Sequence, residues 1–243
     1  MLKNSSLKLA LCLSGQPRSY NKSYHYIKRN LLDHYNVDTF VHSWRSNFGP
    51  QQMKIREEIG AYYEPVYAHY DHSLDSNINS DMRVPNASHP ANFCTSMLYS
   101  IYRADSYRIW HECNENKKYD FVIRCRFDLA LNKHIDFTTL QKGVVYVSKD
   151  IEGPSLLNDQ FAIADSDTMN IYSSTFLNIR QHYNAGTTLC GHEMLQTQLD
   201  KFNIPVVKLD INHPFEDGKF NRGKHSLIRD DMDQWVDTKI WGY

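Results

Sequence analysis

The order of the first predicted elements constrains the fold more than any other feature. Residues 7–13 (LKLALCL) form a nearly continuous apolar run, typical of a parallel strand buried on both faces. A glycine-containing break follows at residues 14–18, and apolar side chains then recur at helical spacing from Tyr20 to Tyr35. Residues 38–44 (DTFVHSW) predict a second strand. This βαβ unit is typical of doubly wound α/β folds, whose ligands bind at the carboxyl ends of the strands.

The later segments continue the alternation of strands and helices. Further helices are predicted at residues 51–62, 92–116 and 192–202, and further strands at 65–69, 119–128, 143–147, 160–164 and 204–209. We therefore predict an α/β, Rossmann-like fold with a mostly parallel central sheet flanked by helices, in one domain that covers residues 1–243. In the polar tail after Asp210, Trp235 and Trp241 are expected to act as anchors.

Composition excludes several classes of protein. The formal net charge of −1 argues against a dedicated nucleic-acid binder, which usually carries a basic excess. No apolar run reaches the length of about 18 residues that a membrane span needs, and the short run at residues 7–13 is not a convincing signal peptide. The five cysteines include no C-x-x-C pair, which favours a reducing compartment. We expect a cytoplasmic protein, with a peripheral position at the inner membrane face as an alternative.

The loop after the first predicted strand is the first candidate site. Its residues Ser14, Gly15, Gln16 and Arg18 follow the strand directly. Glycine lets the backbone approach a ligand closely, and the arginine guanidinium offers several donors to phosphate. The alternative is a plain turn between a strand and a helix, with an arginine on the surface.

The second candidate is the charged end of the strand predicted at residues 119–128. Residues two apart share one face of a strand, so Arg124, Arg126 and Asp128 are expected to point the same way. Two guanidinium groups neutralise a pyrophosphate, and a carboxylate can hold a divalent ion that bridges phosphate oxygens. The alternative is a structural ladder of ion pairs at a sheet edge. Two arginines in an otherwise apolar strand would, however, be costly without a ligand or partner.

Two further carboxylates are candidate catalytic groups. Asp159 precedes the strand predicted at 160–164 and could accept hydrogen bonds from sugar hydroxyls, or belong to an ordinary turn. Glu193 lies at the start of a predicted helix, where the helix dipole alone would favour an acid. Its functional interpretation is a general base that removes a proton from an acceptor hydroxyl.

Five short motifs, taken in this order, resemble the WavE-like glycosyltransferases of bacterial lipopolysaccharide and capsule synthesis. They are LCLSGQPR (11–18), DTFVHSW (38–44), YDFVIRCRFD (119–128), NDQFAIA (158–164) and HEML (192–195). The resemblance implies a GT-A fold, a nucleotide-sugar donor and a glycan or lipid-linked glycan acceptor. It also places residues 14–18 near the nucleotide and matches Glu193 to the acid that serves as base in many inverting members.

The resemblance also bears on a metal cofactor. Such enzymes usually carry an Asp-x-Asp metal motif where this chain has Arg126 and Asp128, so the first acid is replaced. Two possibilities follow: Asp128 binds Mn²⁺ or Mg²⁺, or Arg124 and Arg126 replace the ion.

Two other functions fit parts of the sequence. The loop at 14–19 resembles the phosphate loop of sulfotransferases, which use a phosphoadenosine sulfonate donor, although Tyr20 and Asn21 follow where that loop usually continues with Gly-Thr. A sulfotransferase would also leave the charged strand end unexplained. The other alternative is a non-catalytic carbohydrate-binding module on a degenerate transferase fold, which the missing acid keeps open.

Overall fold

The computed structural model describes residues 4–45, 49–75, 77–82, 84, 91–149 and 157–211. Trp235 and Trp241, predicted to anchor the tail, lie outside the described residues.

The described residues form a central sheet of seven strands. They are β1 (Asn4–Ser14), β2 (Tyr35–Trp44), β3 (Tyr67–Asp71), β4 (Phe121–Cys125), β5 (Val145–Ser148), β6 (Phe161–Ala164) and β7 (Val206–Leu209). The strand order is β3-β2-β1-β4-β6-β5-β7. β6 runs antiparallel to its neighbours β4 and β5, and the other pairs are parallel. The sheet is therefore mostly parallel, as predicted.

Helices cover both faces of this sheet. They are α1 (Tyr20–Ile27), α2 (Gly49–Tyr63), α3 (Ala91–Glu115), α4 (Ser166–Ser173), α5 (Ile179–Asn184) and α6 (Gly191–Lys201). Alternate residues of β1 enter two separate cores, since Leu11 packs on the side of α1 and α2 and Cys12 packs on the side of α3, α4 and α6. This arrangement confirms the predicted α/β, Rossmann-like fold class. No helix in the described ranges is both long and apolar enough to cross a membrane.

Several predicted boundaries need correction. The helical spacing from Tyr20 to Tyr35 overruns the helix, because α1 ends at Ile27, a wider π-helical turn covers Lys28–Leu32, and Tyr35 already begins β2. The strand predicted at residues 119–128 ends at Cys125, where its pairing with β6 stops. Charged and turn-forming residues after that point leave the sheet.

The topology brings one end of several elements to a single edge of the sheet. β1, β2, β3 and β4 are parallel, so their carboxyl ends lie at the same edge. β6 is antiparallel, and its first residue Phe161 pairs with Cys125, the last residue of β4. The segment that enters β6, residues 157–160, therefore lies at this edge too. This juxtaposition defines the place where a ligand site is expected.

Candidate functional site

The turn after β1 is held firmly in place. Gly15 has a φ of 107°, in the left-handed region that favours glycine. Its backbone N–H donates to Ser100 Oγ of α3 at 2.7 Å, and its carbonyl accepts from Ser43 Oγ of β2 at 2.9 Å. Arg18 follows three residues later with its side chain exposed. The turn is therefore fixed by two neighbouring elements, and a guanidinium lies on its solvent side.

A buried hydrogen-bonded network supports this turn from behind. His42 at the end of β2 contacts Ser100 Oγ through Nδ1 at 2.8 Å and Asp71 of β3 through Nε2 at 3.1 Å. Tyr99 donates a further hydrogen bond to Asp71 at 2.8 Å. Burial lowers the pKa of His42, and the hydrogen bond from His42 is the main cause that holds the pKa of Asp71 well below its usual range. The sequence did not predict this network, because its members come from three separate elements.

Arg124 lies inside the protein and not on a cleft wall. The residue is 2% exposed, and its Nη1 donates to the backbone carbonyl of Asp159. Burial lowers the pKa of this guanidinium, and its Nε has no hydrogen-bond partner among the described residues. Arg124 thus ties β4 to the segment that enters β6. Its side chain also brings a buried positive charge to this edge.

Arg126 and Asp128 form an ion pair with each other. The Nε and Nη2 atoms of Arg126 donate to the two carboxylate oxygens of Asp128 at 2.8 and 2.7 Å. Asp128 is 1% exposed, whereas a quarter of the Arg126 side chain is exposed. The strand predicted to carry all three residues ends before Arg126, and the pair that Arg126 and Asp128 form matches the alternative of a structural ion pair. The strand ends at Cys125, and the chain turns so that the carboxylate returns to the guanidinium.

The described residues do not fit a divalent ion at Asp128. Both carboxylate oxygens of that residue already accept hydrogen bonds from Arg126. In the part of the chain that the structure describes, no group of three or more His, Cys, Asp or Glu side chains could hold a metal ion. Mn²⁺ or Mg²⁺ coordination by Asp128 would require Arg126 to release it.

Asp159 and the start of α6 form the other side of the site. The carboxylate of Asp159 lies 3.8 Å from Nε2 of His192, and Nδ1 of His192 lies 2.5 Å from the backbone carbonyl of Leu157. Glu193, in the first turn of α6, accepts a hydrogen bond from the hydroxyl of Thr188. Sequence reasoning assigned roles to Asp159 and Glu193 but none to His192. The sequence signal for His192 was its position directly before Glu193, at the start of a predicted helix.

Nine buried side-chain polar atoms lack hydrogen-bond partners among the described residues, and four of them lie at this edge. These four are Ser14 Oγ, Gln16 Oε1, Arg124 Nε and Gln160 Oε1. These residues come from the ends of β1 and β4 and from the segment before β6. Most buried polar atoms in native proteins are paired, so a concentration of unpaired ones indicates a place that a polar ligand or water completes.

The predicted site residues lie in two neighbouring groups. One group lies at the ends of β1 and β4, and the other lies on the segment that carries Asp159. Leu13 pairs with Cys125 across β1 and β4, so the chain leaves both strands side by side toward Gly15 and Arg126. Arg126 N–H donates to the Gln160 carbonyl at 3.2 Å, which joins this group to the segment that carries Asp159. The turn at Gly15, the end of β4 and the segment that carries Asp159 thus all belong to the edge where the strands terminate.

Comparisons with known proteins identify a similar solved structure but no family. Among solved structures, the chain is similar to one described as a glycosyltransferase involved in the glycosylation of the major capsid of PBCV-1. The two are 10% identical, the match covers 84% of this chain and 82% of that chain, and the TM-score is 0.39. No protein-family model matches the sequence, and no curated protein matches it. The likeness is too low to transfer an activity or a residue's role.

Proposed function

We propose that the protein is a glycosyltransferase of the GT-A kind that transfers a sugar from a nucleotide-sugar donor to a hydroxyl of a glycan acceptor. The observation that carries the proposal is the set of unpaired polar atoms on Ser14, Gln16, Arg124 and Gln160, at the edge where parallel strands end. A ligand that carries both donors and acceptors would satisfy them, because hydroxyl or base N–H groups can donate to Oε1 of Gln16 and Gln160, and phosphate oxygens can accept from Ser14 Oγ and Arg124 Nε. A nucleoside diphosphate offers the charge and the hydrogen-bonding groups that such a site lacks.

The diphosphate would bind between the Gly15 turn and the end of β4. The exposed Arg18 is proposed to contact phosphate directly, as is the exposed part of Arg126. Arg124 would act from beneath, as a buried charge that also fixes the position of Asp159. Donors that are already in place when negative charge develops on a leaving diphosphate stabilise the transition state.

Metal dependence forms a separate part of the proposal. In the arrangement described, Arg126 donates to both carboxylate oxygens of Asp128, so the guanidinium groups would neutralise the diphosphate without a metal ion. Mn²⁺ or Mg²⁺ could bind Asp128 only if Arg126 released that carboxylate, so the proposal assigns no step to a metal ion. Comparing turnover with and without Mn²⁺ separates these two cases.

Proton removal from the acceptor hydroxyl is assigned to the segment that enters β6 and the start of α6. Glu193 is the carboxylate that the sequence predicts for this step, with Asp159 as the alternative. The acceptor proposed is a glycan or a lipid-linked glycan in surface polysaccharide synthesis, with the protein in the cytoplasm or peripheral at the inner membrane face. That biological setting derives from the sequence resemblance.

Screening nucleotide sugars for donor hydrolysis, with and without Mn²⁺, tests the proposed function. We expect one UDP- or GDP-linked sugar to be hydrolysed slowly without an acceptor, and faster transfer when a glycan is added. Thermal shifts with adenosine 3′,5′-bisphosphate but none with UDP, GDP or CMP would favour a sulfotransferase instead. Glycan binding with no nucleotide binding, unaffected by Arg126→Ala, would favour a carbohydrate-binding module.

A further inference from the structure

His192 has the orientation of a base that is ready to accept a proton. A backbone carbonyl can only accept hydrogen bonds, so the contact of 2.5 Å with the Leu157 carbonyl assigns the ring proton to Nδ1. In the neutral ring, Nε2 then carries the lone pair. The side chain of His192 is about a third exposed.

Asp159 faces that lone pair across a short gap. Its Oδ2 lies 3.8 Å from Nε2 of His192, which exceeds hydrogen-bond distance, and both atoms are acceptors while the ring is neutral. Two facing acceptors suit a molecule that supplies hydroxyl donors, as a sugar does. Once Nε2 takes up a proton, the carboxylate faces a cation and stabilises it. Among the described residues, Asp159 is the carboxylate found within 4 Å of this ring.

Gly191 permits the close approach of these two groups. A Cβ atom at this position would lie 2.9 Å from Asp159 Oδ2 and 2.4 Å from the side chain of Met97. The absence of a side chain therefore lets the start of α6 lie directly against Asp159. The backbone of Asp159 is in turn held by Arg124, so the pair is fixed relative to β4.

Glu193 has a different set of contacts. It lies in the first turn of α6, where the helix dipole favours an acid, and it accepts a hydrogen bond from the Thr188 hydroxyl just before the helix. These contacts give it a role in starting the helix. They do not direct it toward Asp159 or Arg124.

We propose that His192 is the general base of the transfer and that Asp159 stabilises its protonated form. This inference rests on the proposed function. In the step, Nε2 of His192 removes the proton from the acceptor hydroxyl as that oxygen forms a bond to the anomeric carbon of the donor sugar. The bond between this carbon and the phosphate oxygen breaks, and the nucleoside diphosphate leaves with the electron pair. Solvent later takes the proton from the imidazolium.

Chemical rescue tests this assignment with a readout that a structural role would not affect. His192→Ala is expected to lower kcat about 10²- to 10⁴-fold, the usual contribution of a general base, with KM for the donor nearly unchanged. Added imidazole should restore turnover in a concentration-dependent way. His192→Asn can still donate to the Leu157 carbonyl but has no base, so it should remain folded, bind donor and stay inactive. His25→Ala, an exposed histidine of α1, is the matched control and should behave as wild type.

Donor affinity, measured separately, distinguishes failure of this inference from failure of the proposed function. If wild-type protein neither binds nor turns over any nucleotide sugar, the proposed function fails and this inference fails with it. If wild-type protein is active and the two His192 variants retain full kcat, only the assignment of His192 is wrong. Loss of turnover in Glu193→Gln, with His192→Ala near wild type, would return the role to the carboxylate of α6.

Discussion

Replacing Arg126 by alanine should destabilise the protein far more than its partly exposed position suggests. Both oxygens of Asp128 accept from this guanidinium, and Asp128 is 1% exposed. Removing Arg126 leaves that carboxylate buried without its partner, a change that typically costs about 3–5 kcal/mol. A quarter of the Arg126 side chain is exposed, so water can reach part of the gap and the lower end, about 3 kcal/mol, is expected. For a chain of this size that corresponds to a Tm lower by about 6–12 °C.

Urea unfolding followed by circular dichroism measures this free energy. Four proteins are compared: wild type, Arg126→Ala, Asp128→Asn and the double variant. The double variant should be more stable than Arg126→Ala alone, because it buries no unpaired charge. Lys118→Ala is the control, since it removes an exposed partner of Asp167 and should change stability little. An Arg126→Ala protein as stable as the Lys118→Ala protein would refute the buried pair.

Three further predictions test other parts of the structure. Arg108 is fully buried and pairs with two carboxylates of its own helix, so Arg108→Ala should lower the free energy of unfolding by about 3–5 kcal/mol in urea titrations. Burial lowers the pKa of His42, so below about pH 6.5 the unfolded chain binds a proton that the folded chain does not bind. The free energy of unfolding therefore decreases as the pH is lowered. The drop in urea midpoint from pH 7.5 to 5.5 should shrink in His42→Gln but not in His25→Gln. Gly191→Ala should leave the protein folded, displace Asp159 and reduce turnover at least about tenfold, and unchanged turnover would contradict the close approach.

Much of the fold could be predicted because its signals are local. The apolar runs at residues 7–13 and 38–44 became β1 and β2, and the glycine between them forms the expected turn. The π-helical turn after Ile27 could not be predicted, because the apolar spacing continues through it.

The candidate site could be predicted only in part. Motif positions identified Arg126 and Asp159 as residues of one edge, since strand ends converge in a parallel sheet. Side-chain pairing could not be derived, because it depends on where β4 stops and how the chain then turns. The bond between Arg126 and Asp128 follows from that turn, and so does the burial of Arg124. His192 acquires its partner from a segment more than thirty residues earlier, a distance at which sequence spacing carries no signal.

The central claim is that a nucleoside diphosphate binds where the strands end, and calorimetric titration with UDP, GDP and ADP tests it most directly. We expect one nucleotide to bind wild-type protein and to bind at least about tenfold more weakly to Arg18→Ala, the loss expected for one charge-assisted hydrogen bond. Arg29→Ala, an exposed arginine beyond α1, should bind as wild type does. No binding of any of the three nucleotides, or equal affinity in Arg18→Ala and wild type, would contradict the account.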